Sequence, residues 1–216
     1  MLKAALFDMD GTLLESMGLW HRFGELYLCQ QGIPVPEGLN DLLDTMTLNT
    51  AAEYLARLTG QEPSAVKEGL FEVVGQGYST TVEPKPGALE LLARLKSGGV
   101  KLALVTATDL PLARRALDRL GMTAFFDGLW DCRTVGQSKH HPTIYQRASE
   151  ALGATPGETW VFEDALYAAL TAKEAGYSLI GIADSYEEGQ EELKALSTFY
   201  VTHYDQLDEP LKALGL

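Results

Sequence analysis

Apolar residues along this chain follow two rhythms. Short apolar runs, among them Ala4-Ala5-Leu6-Phe7, "VKLALVTAT", "GLWDC", "TWVFED", "YSLIGIAD" and "TFYVT", have the length and composition of strands buried in a sheet. Between them stand segments whose apolar positions recur every three or four residues, the period of an amphipathic helix. In "KPGALELLARLKSGG", Pro86 stands near the start, Leu89, Leu92 and Leu95 share a face, and Gly98-Gly99 close the helix. "LPLARRALDRLG", which Asp109 is placed to cap, "PTIYQRASEALG", "ALYAALTAKEAG" closed by Gly176, "EEGQEELKAL" and "YDQLDEPLKALGL" repeat the pattern. From residue 82 onward strand and helix alternate. That alternation predicts an α/β fold built on a doubly wound, parallel, Rossmann-like sheet with right-handed crossovers.

Residues 15 to 81 break the alternation. They contain no convincing strand and several helical stretches, "LWHRFGELYLCQQG", "NTAAEYLARLTG" and "SAVKEGLFEVVGQGY" among them. They are expected to form an inserted α-helical cap domain, leaving residues 1 to 14 and 82 to 216 as the core domain. Because the insert leaves the core at the carboxyl end of the first strand, it is expected to lie over that end as a lid. "VEPKPG", residues 82 to 87, is the return linker, with two prolines limiting how the chain re-enters the core.

Composition narrows the class. The chain has 216 residues, 46% of them hydrophobic, which is enough for one large domain or a domain with an insert. Lys and Arg number 17 against 30 for Asp and Glu, and the formal charge of −13 argues against nucleic acid or an anionic membrane as the partner. The first residues suit neither a secretory signal nor a transit peptide, and no apolar stretch is long enough to span a bilayer, so a cytoplasmic location is expected. Cys29 and Cys132 form no CxxC pair and are expected to be packing residues. No protein partner is indicated.

The candidate chemistry lies at the ends of the strands. "FDMDGT" puts Asp8 and Asp10 directly after the first strand, where open α/β sheets bind ligands, and Gly11 lets the backbone turn close to one. A bare helix cap or Asp-Gly turn is the plain alternative. Three later segments, "LVTAT" with Thr106, "VGQSKHHP" with Lys139 and "WVFED" with Glu163 and Asp164, bring polar groups to the same edge. Each alone is ambiguous: a helix-initiating hydroxyl, a solvated lysine, an acid pair at a helix start. Together they are the set that phosphoryl transfer to a carboxylate requires. A dianionic phosphate at ~4 Å from an ionised Asp8 is repelled by about 8 kcal/mol at an effective dielectric near 20, so a divalent cation has to offset it. Mg²⁺ would be held by the oxygens of Asp8 and Asp164 with the backbone near Asp10, while Lys139 and Thr106 hold the remaining phosphoryl oxygens. Asp8 is then the nucleophile, and Asp10 protonates the leaving alkoxide and deprotonates the attacking water.

"FDMDGTLLES", "LVTAT", "SKHHPTIY" and "VFEDALYAALTAKEAG" together resemble, in order, the four motifs of the haloacid dehalogenase-like hydrolases, and the helical insert resembles their small helical cap. The resemblance is to the subgroup of β-phosphoglucomutase and small phosphomonoester phosphatases, and spans almost the whole chain. It implies Asp8 as nucleophile and Asp10 as acid/base and metal contact. It also implies Gly11, Thr106, Ala107 and Lys139 around the phosphate, Asp164 as the main acidic metal ligand, and Glu163 as a weaker one. Two segments depart from the common pattern. His140-His141-Pro142-Thr143 stands where Pro-x-Pro-Asp is usual, and Ala165 and Ala168 replace a serine and a glycine. These changes spare the charged groups and bear on substrate.

Phosphatase and mutase share this core. A mutase holds a bisphosphate and needs a basic site on the cap, whereas "LNDLLDTMTLNTAAEY" is poor in Lys and Arg. Arg22, Arg57 and Lys67 are the remaining cap cations. His21 stands where mutase relatives place a histidine, although an ordinary helix histidine is the simpler reading. A phosphatase acting on a small phosphorylated metabolite is therefore expected, with a phosphosugar mutase as the alternative. A phospho-accepting receiver domain fits less well, since it takes phosphate at a later strand and lacks the second Asp and the insert. A binding protein of this fold without activity is the other remote reading.

Overall fold

The structure is a computed structural model that describes residues 2 to 216. Six parallel strands form one sheet in the order β3-β2-β1-β4-β5-β6. They are β1 (Ala4–Phe7), β2 (Lys101–Thr106), β3 (Gly128–Asp131), β4 (Thr159–Glu163), β5 (Ser178–Ile182) and β6 (Phe199–Val201). Every residue of β1 is fully buried, as a central strand covered on both faces must be. In register, Leu6 faces Ala103 on one side and Val161 on the other. These three pack with Val105 against Ile144, Tyr145 and Ala148 of the helix Thr143–Ala151. The strand order reverses between β1 and β4, which makes their carboxyl ends the switch-point crevice of the sheet.

The chain divides into two compact units, Met1–Glu15 with Glu83–Leu216, and Ser16–Val82. The second is all helical: α1 (Met17–Gln30), α2 (Leu39–Asp44), α3 (Leu48–Thr59) and α4 (Pro63–Thr80). α1 and α4 approach closely because α4 presents glycine where α1 is bulky. A Cβ at Gly69 would come within 2.4 Å of the Tyr27 ring, and one at Gly77 within 2.4 Å of Leu19. The two contacts are eight residues apart on each helix, so the seam repeats after about two turns. Trp20 Nε1 donates to Tyr78 OH at 3.0 Å across the same pair. Cys29 is exposed on α1 and not a packing residue, since it lies beyond the buried pair Tyr27 and Leu28 on the outward side; Cys132 is half-buried against the sheet core.

In the first unit the helices are α5 (Ala88–Ser97), α6 (Leu110–Arg119), α7 (Cys132–Val135), α8 (Thr143–Ala151), α9 (Leu166–Glu174), α10 (Gln190–Leu196) and α11 (Asp208–Ala213). Asp109 precedes α6, but its side chain does not cap the helix. Its carboxylate accepts from Arg133 at 3.0 Å instead. The cap comes from Asp131 at the end of β3, which accepts from the Leu110 amide at 2.7 Å and from the Thr134 amide at 2.6 Å, closing α6 and α7 together. The terminal segment is not one helix: a 3-10 turn at Tyr204–Leu207 precedes α11. Gln206 Oε1 fixes that turn by accepting from the Thr202 and His203 amides at 2.7 and 3.2 Å. Among the described residues no helix is long and apolar enough to cross a membrane.

Candidate active site

The carboxyl ends of β1 and β4 carry the cluster. Asp8 follows β1 and is tied to the sheet by its amide, which donates to Phe162 O at 3.0 Å. Glu163 ends β4 and Asp164 follows it; all three acids are buried. Each offers a carboxylate oxygen within 4.8 Å of the others'. Lys139 does not lie at a strand end. It stands in the loop between α7 and α8, and its side chain crosses to the central strands, where Nζ donates to Asp8 Oδ1 and, at 2.7 Å, to Glu163 Oε1. Tyr145 OH donates to the same Glu163 oxygen at 2.8 Å, so that atom takes two donors.

Asp10 sits at the turn after Asp8, where Gly11 adopts φ 78°. Its Oδ2 accepts from Thr108 Oγ1 at 2.7 Å. Thr106, buried at the end of β2, accepts from the Thr108 amide at 3.0 Å, which leaves its own hydroxyl proton available to an acceptor. Ala107, between them, is exposed. Thr12 Oγ1 donates to Asp164 Oδ1 at 2.8 Å, and the Thr12 carbonyl accepts from buried Tyr204 OH at 2.7 Å. Thr12, Thr108 and Tyr145 are therefore part of the site; each lies inside a motif, but its partner is far away in the chain, so spacing alone does not point to it. His21 lies in the helical unit, where Nδ1 is 2.6 Å from Asp44 Oδ2. Thr143, in place of the usual aspartate, hydrogen-bonds Gln137.

Three buried carboxylates face one ammonium. Burial raises the Asp8 carboxyl, opposed by Lys139 and reinforced by Asp10. Burial raises Glu163 to about 7 against the pull of Lys139. Asp164 is pushed well above the carboxylate range by burial and by the charges of Asp8 and Glu163. Burial alone would lower Lys139, but Asp8 and Glu163 outweigh it and keep the ammonium charged. The imbalance is one of excess negative charge in a hard-oxygen donor set, and such a set suits a divalent cation.

Comparison with known proteins agrees with this geometry. The family model described as haloacid dehalogenase-like hydrolase matches residues 2–176. A phosphorylated carbohydrates phosphatase of Thermotoga maritima is 29% identical over 90% of this chain and 91% of its own. A validoxylamine A 7'-phosphate phosphatase of Streptomyces hygroscopicus subsp. limoneus is 30% identical over 87% and 88%. A solved Thermotoga maritima structure, provisionally described as a β-phosphoglucomutase, superposes with a TM-score of 0.85 at 27% identity, covering 98% of this chain and 99% of that one. With the parallel sheet, the acids at its switch point and a family match over most of its length, the chain belongs to the haloacid dehalogenase-like hydrolases.

Proposed function

We propose that the protein is a Mg²⁺-dependent phosphatase that hydrolyses a small phosphorylated sugar or polyol through an aspartyl-phosphate. The observation that carries the reading is the buried group of Asp8, Lys139, Glu163 and Asp164 with Asp10 held beside it by Thr108. The substrate class is supported by the names of two relatives, the phosphorylated carbohydrates phosphatase and a hexitol phosphatase of Escherichia coli. Asp8, Asp164 and the backbone near Asp10 would hold Mg²⁺, whose charge lets a dianionic ester approach a carboxylate. Asp8 attacks phosphorus, the bond to the leaving oxygen breaks, and Asp10 gives that oxygen its proton. Water then attacks phosphorus, returns a proton to Asp10, and frees Asp8 with release of inorganic phosphate. Lys139 and the Thr106 hydroxyl hold phosphoryl oxygens, and Gly11 and Ala107 keep the backbone open beside them. Glu163 orients Lys139 through Oε1 and would be a weaker ligand of the cation. A panel of phosphorylated metabolites assayed for phosphate release, with Mg²⁺ and with EDTA, tests this. Activity is expected only with Mg²⁺, and full turnover in EDTA after dialysis overturns the mechanism.

The fold likeness to a provisional β-phosphoglucomutase favours a mutase as second reading. In the helical unit, however, Arg22 is committed to Glu25 at 2.8 and 3.0 Å, and Lys67 to Asn49 at 2.7 Å. With those two engaged, exposed Arg57 is the cation of the helical unit left for a second phosphate site, and His21 is held by Asp44. Incubation with β-glucose 1-phosphate and catalytic glucose 1,6-bisphosphate, followed by phosphorus NMR, is expected to give inorganic phosphate or no reaction. Accumulation of glucose 6-phosphate without phosphate would make the enzyme an isomerase.

A further inference from the structure

Beside Lys139 lies an aromatic pair that the chemistry above leaves unused. His140, one of the departures from the common motif, meets Tyr167 of α9 with ring centroids 4.6 Å apart and planes tilted by 33°. Tyr167 is two-sided. The residue is 40% exposed, yet its phenol feels the site's charges: burial raises it to about 12, Lys139 pulls the other way, and Glu163 and Asp8 add to the rise. Among the described residues that hydroxyl meets no hydrogen-bond partner. Buried Tyr145, by contrast, spends its hydroxyl on Glu163.

The pair borders the charged cluster through the chain itself: His140 directly follows Lys139, and Tyr167 stands in the first turn of α9, three residues after Asp164. Sites that select small molecules are built from such surfaces, with an aromatic wall and a few placed donors. We propose that Tyr167, backed by His140, is a specificity-determining residue of this site. Its hydroxyl donates to an oxygen of a phosphorylated sugar or polyol, and its ring covers the carbon skeleton next to the ester. His140 fixes the ring at its other face, so the two side chains act as one wall. The proposal rests on the phosphatase reading and adds which residues discriminate among its substrates.

Steady-state kinetics of wild type, Tyr167→Phe, Tyr167→Ala and His140→Ala test it, with glucitol 6-phosphate, fructose 6-phosphate and ribose 5-phosphate against acetyl phosphate, which lacks a polyol. The ratio of kcat/KM for the best sugar phosphate to that for acetyl phosphate is expected to fall about tenfold in Tyr167→Ala. Tyr167→Phe should give a smaller fall, carried by KM, on the usual scale of a lost substrate contact. His140→Ala should move the ratio in the same direction by less. A loss shared equally by all substrates marks a structural role and overturns the proposal, as does an unchanged ratio or a wild type that hydrolyses acetyl phosphate alone. If the wild type releases phosphate from nothing, the phosphatase reading fails and calorimetry decides for Tyr167. In an Asp8→Asn background with Mg²⁺, glucitol 6-phosphate should bind more tightly than inorganic phosphate, and Tyr167→Ala should remove about tenfold of that preference. Equal binding of the two probes, or a preference that survives the substitution, overturns it.

Discussion

The two ends of the same strands carry the same kinds of residue in opposite surroundings. At the amino end Lys3 pairs with Glu158 at 2.6 Å, with side chains 53% and 30% exposed. Asp127 there accepts from Lys96 at 3.1 Å and Lys101 at 3.5 Å, and the Lys101 side chain is 58% exposed. At the carboxyl end the side chain of Lys139 is 2% exposed and that of Glu163 is 1% exposed. Water and salt screen the first set, so its pairs cost little and give little. The second set is removed from water, with three acids against one ammonium, and desolvation makes it a burden on stability unless something balances it. The difference teaches which charges serve the fold and which serve the chemistry. The amino-end pairs stay within reach of water, whereas Asp8, Lys139, Glu163 and Asp164 persist where a fold alone would place leucine or valine.

The contrast can be broken first where it is strongest. Asp8→Asn should fold and yet lose phosphatase activity by about 10⁴-fold or more, the scale of deleting a nucleophile, in a phosphate-release assay. Asp10→Asn should lower turnover by about 10²-fold, and a rate within a factor of three of wild type would remove its proton-carrying role. Asp131, also at the carboxyl end, sharpens the comparison because it serves structure. Burial pushes its carboxyl up, but hydrogen bonds from Thr134 and the Leu110 amide outweigh this, and its pKa lies below the ordinary value. The stabilisation is therefore present above the unfolded pKa of about 3.9 and is lost as pH falls through the lower folded value. Asp131→Ala should cost about 1 to 2 kcal/mol at pH 7 by thermal unfolding, with the gap from wild type closing below about pH 4. Smallest of all, Lys101→Ala at the amino end should shift Tm by less than about 2 °C.

The strands were legible because burial on both faces demands continuous apolar runs, as in Ala4 to Phe7, and that demand is written locally. The helices α2 and α7, of six and four residues, were not legible, because one or two turns give too few repeats to tell a helical period from chance; α11, as short, was legible only inside a longer repeat. Asp8, Glu163 and Asp164 stand out in sequence since each follows or ends an apolar run. Lys139 gave its identity but not its position: a loop lysine with a long side chain reaches the centre of the sheet, which spacing does not reveal. The supporting hydroxyls were hidden for the same reason. Thr12 meets Asp164 across 152 residues and Thr108 meets Asp10 across 98, so only the folded sheet pairs them. Asp109 was a sound cap by local rules, and tertiary contact gave the task to Asp131 and the Asp109 carboxylate to Arg133.

The central claim is that the carboxyl-end acids are held against stability in order to bind a cation and react. Thermal unfolding of wild type and Asp164→Asn, each in EDTA and in Mg²⁺, tests it most directly. The amide can still accept the Thr12 hydrogen bond while removing one of the crowded charges. The account predicts that Asp164→Asn melts above wild type in EDTA, and that Mg²⁺ raises the Tm of wild type but leaves that of the variant nearly unmoved. A variant that melts below wild type in EDTA, or that Mg²⁺ stabilises as strongly as wild type, would contradict it.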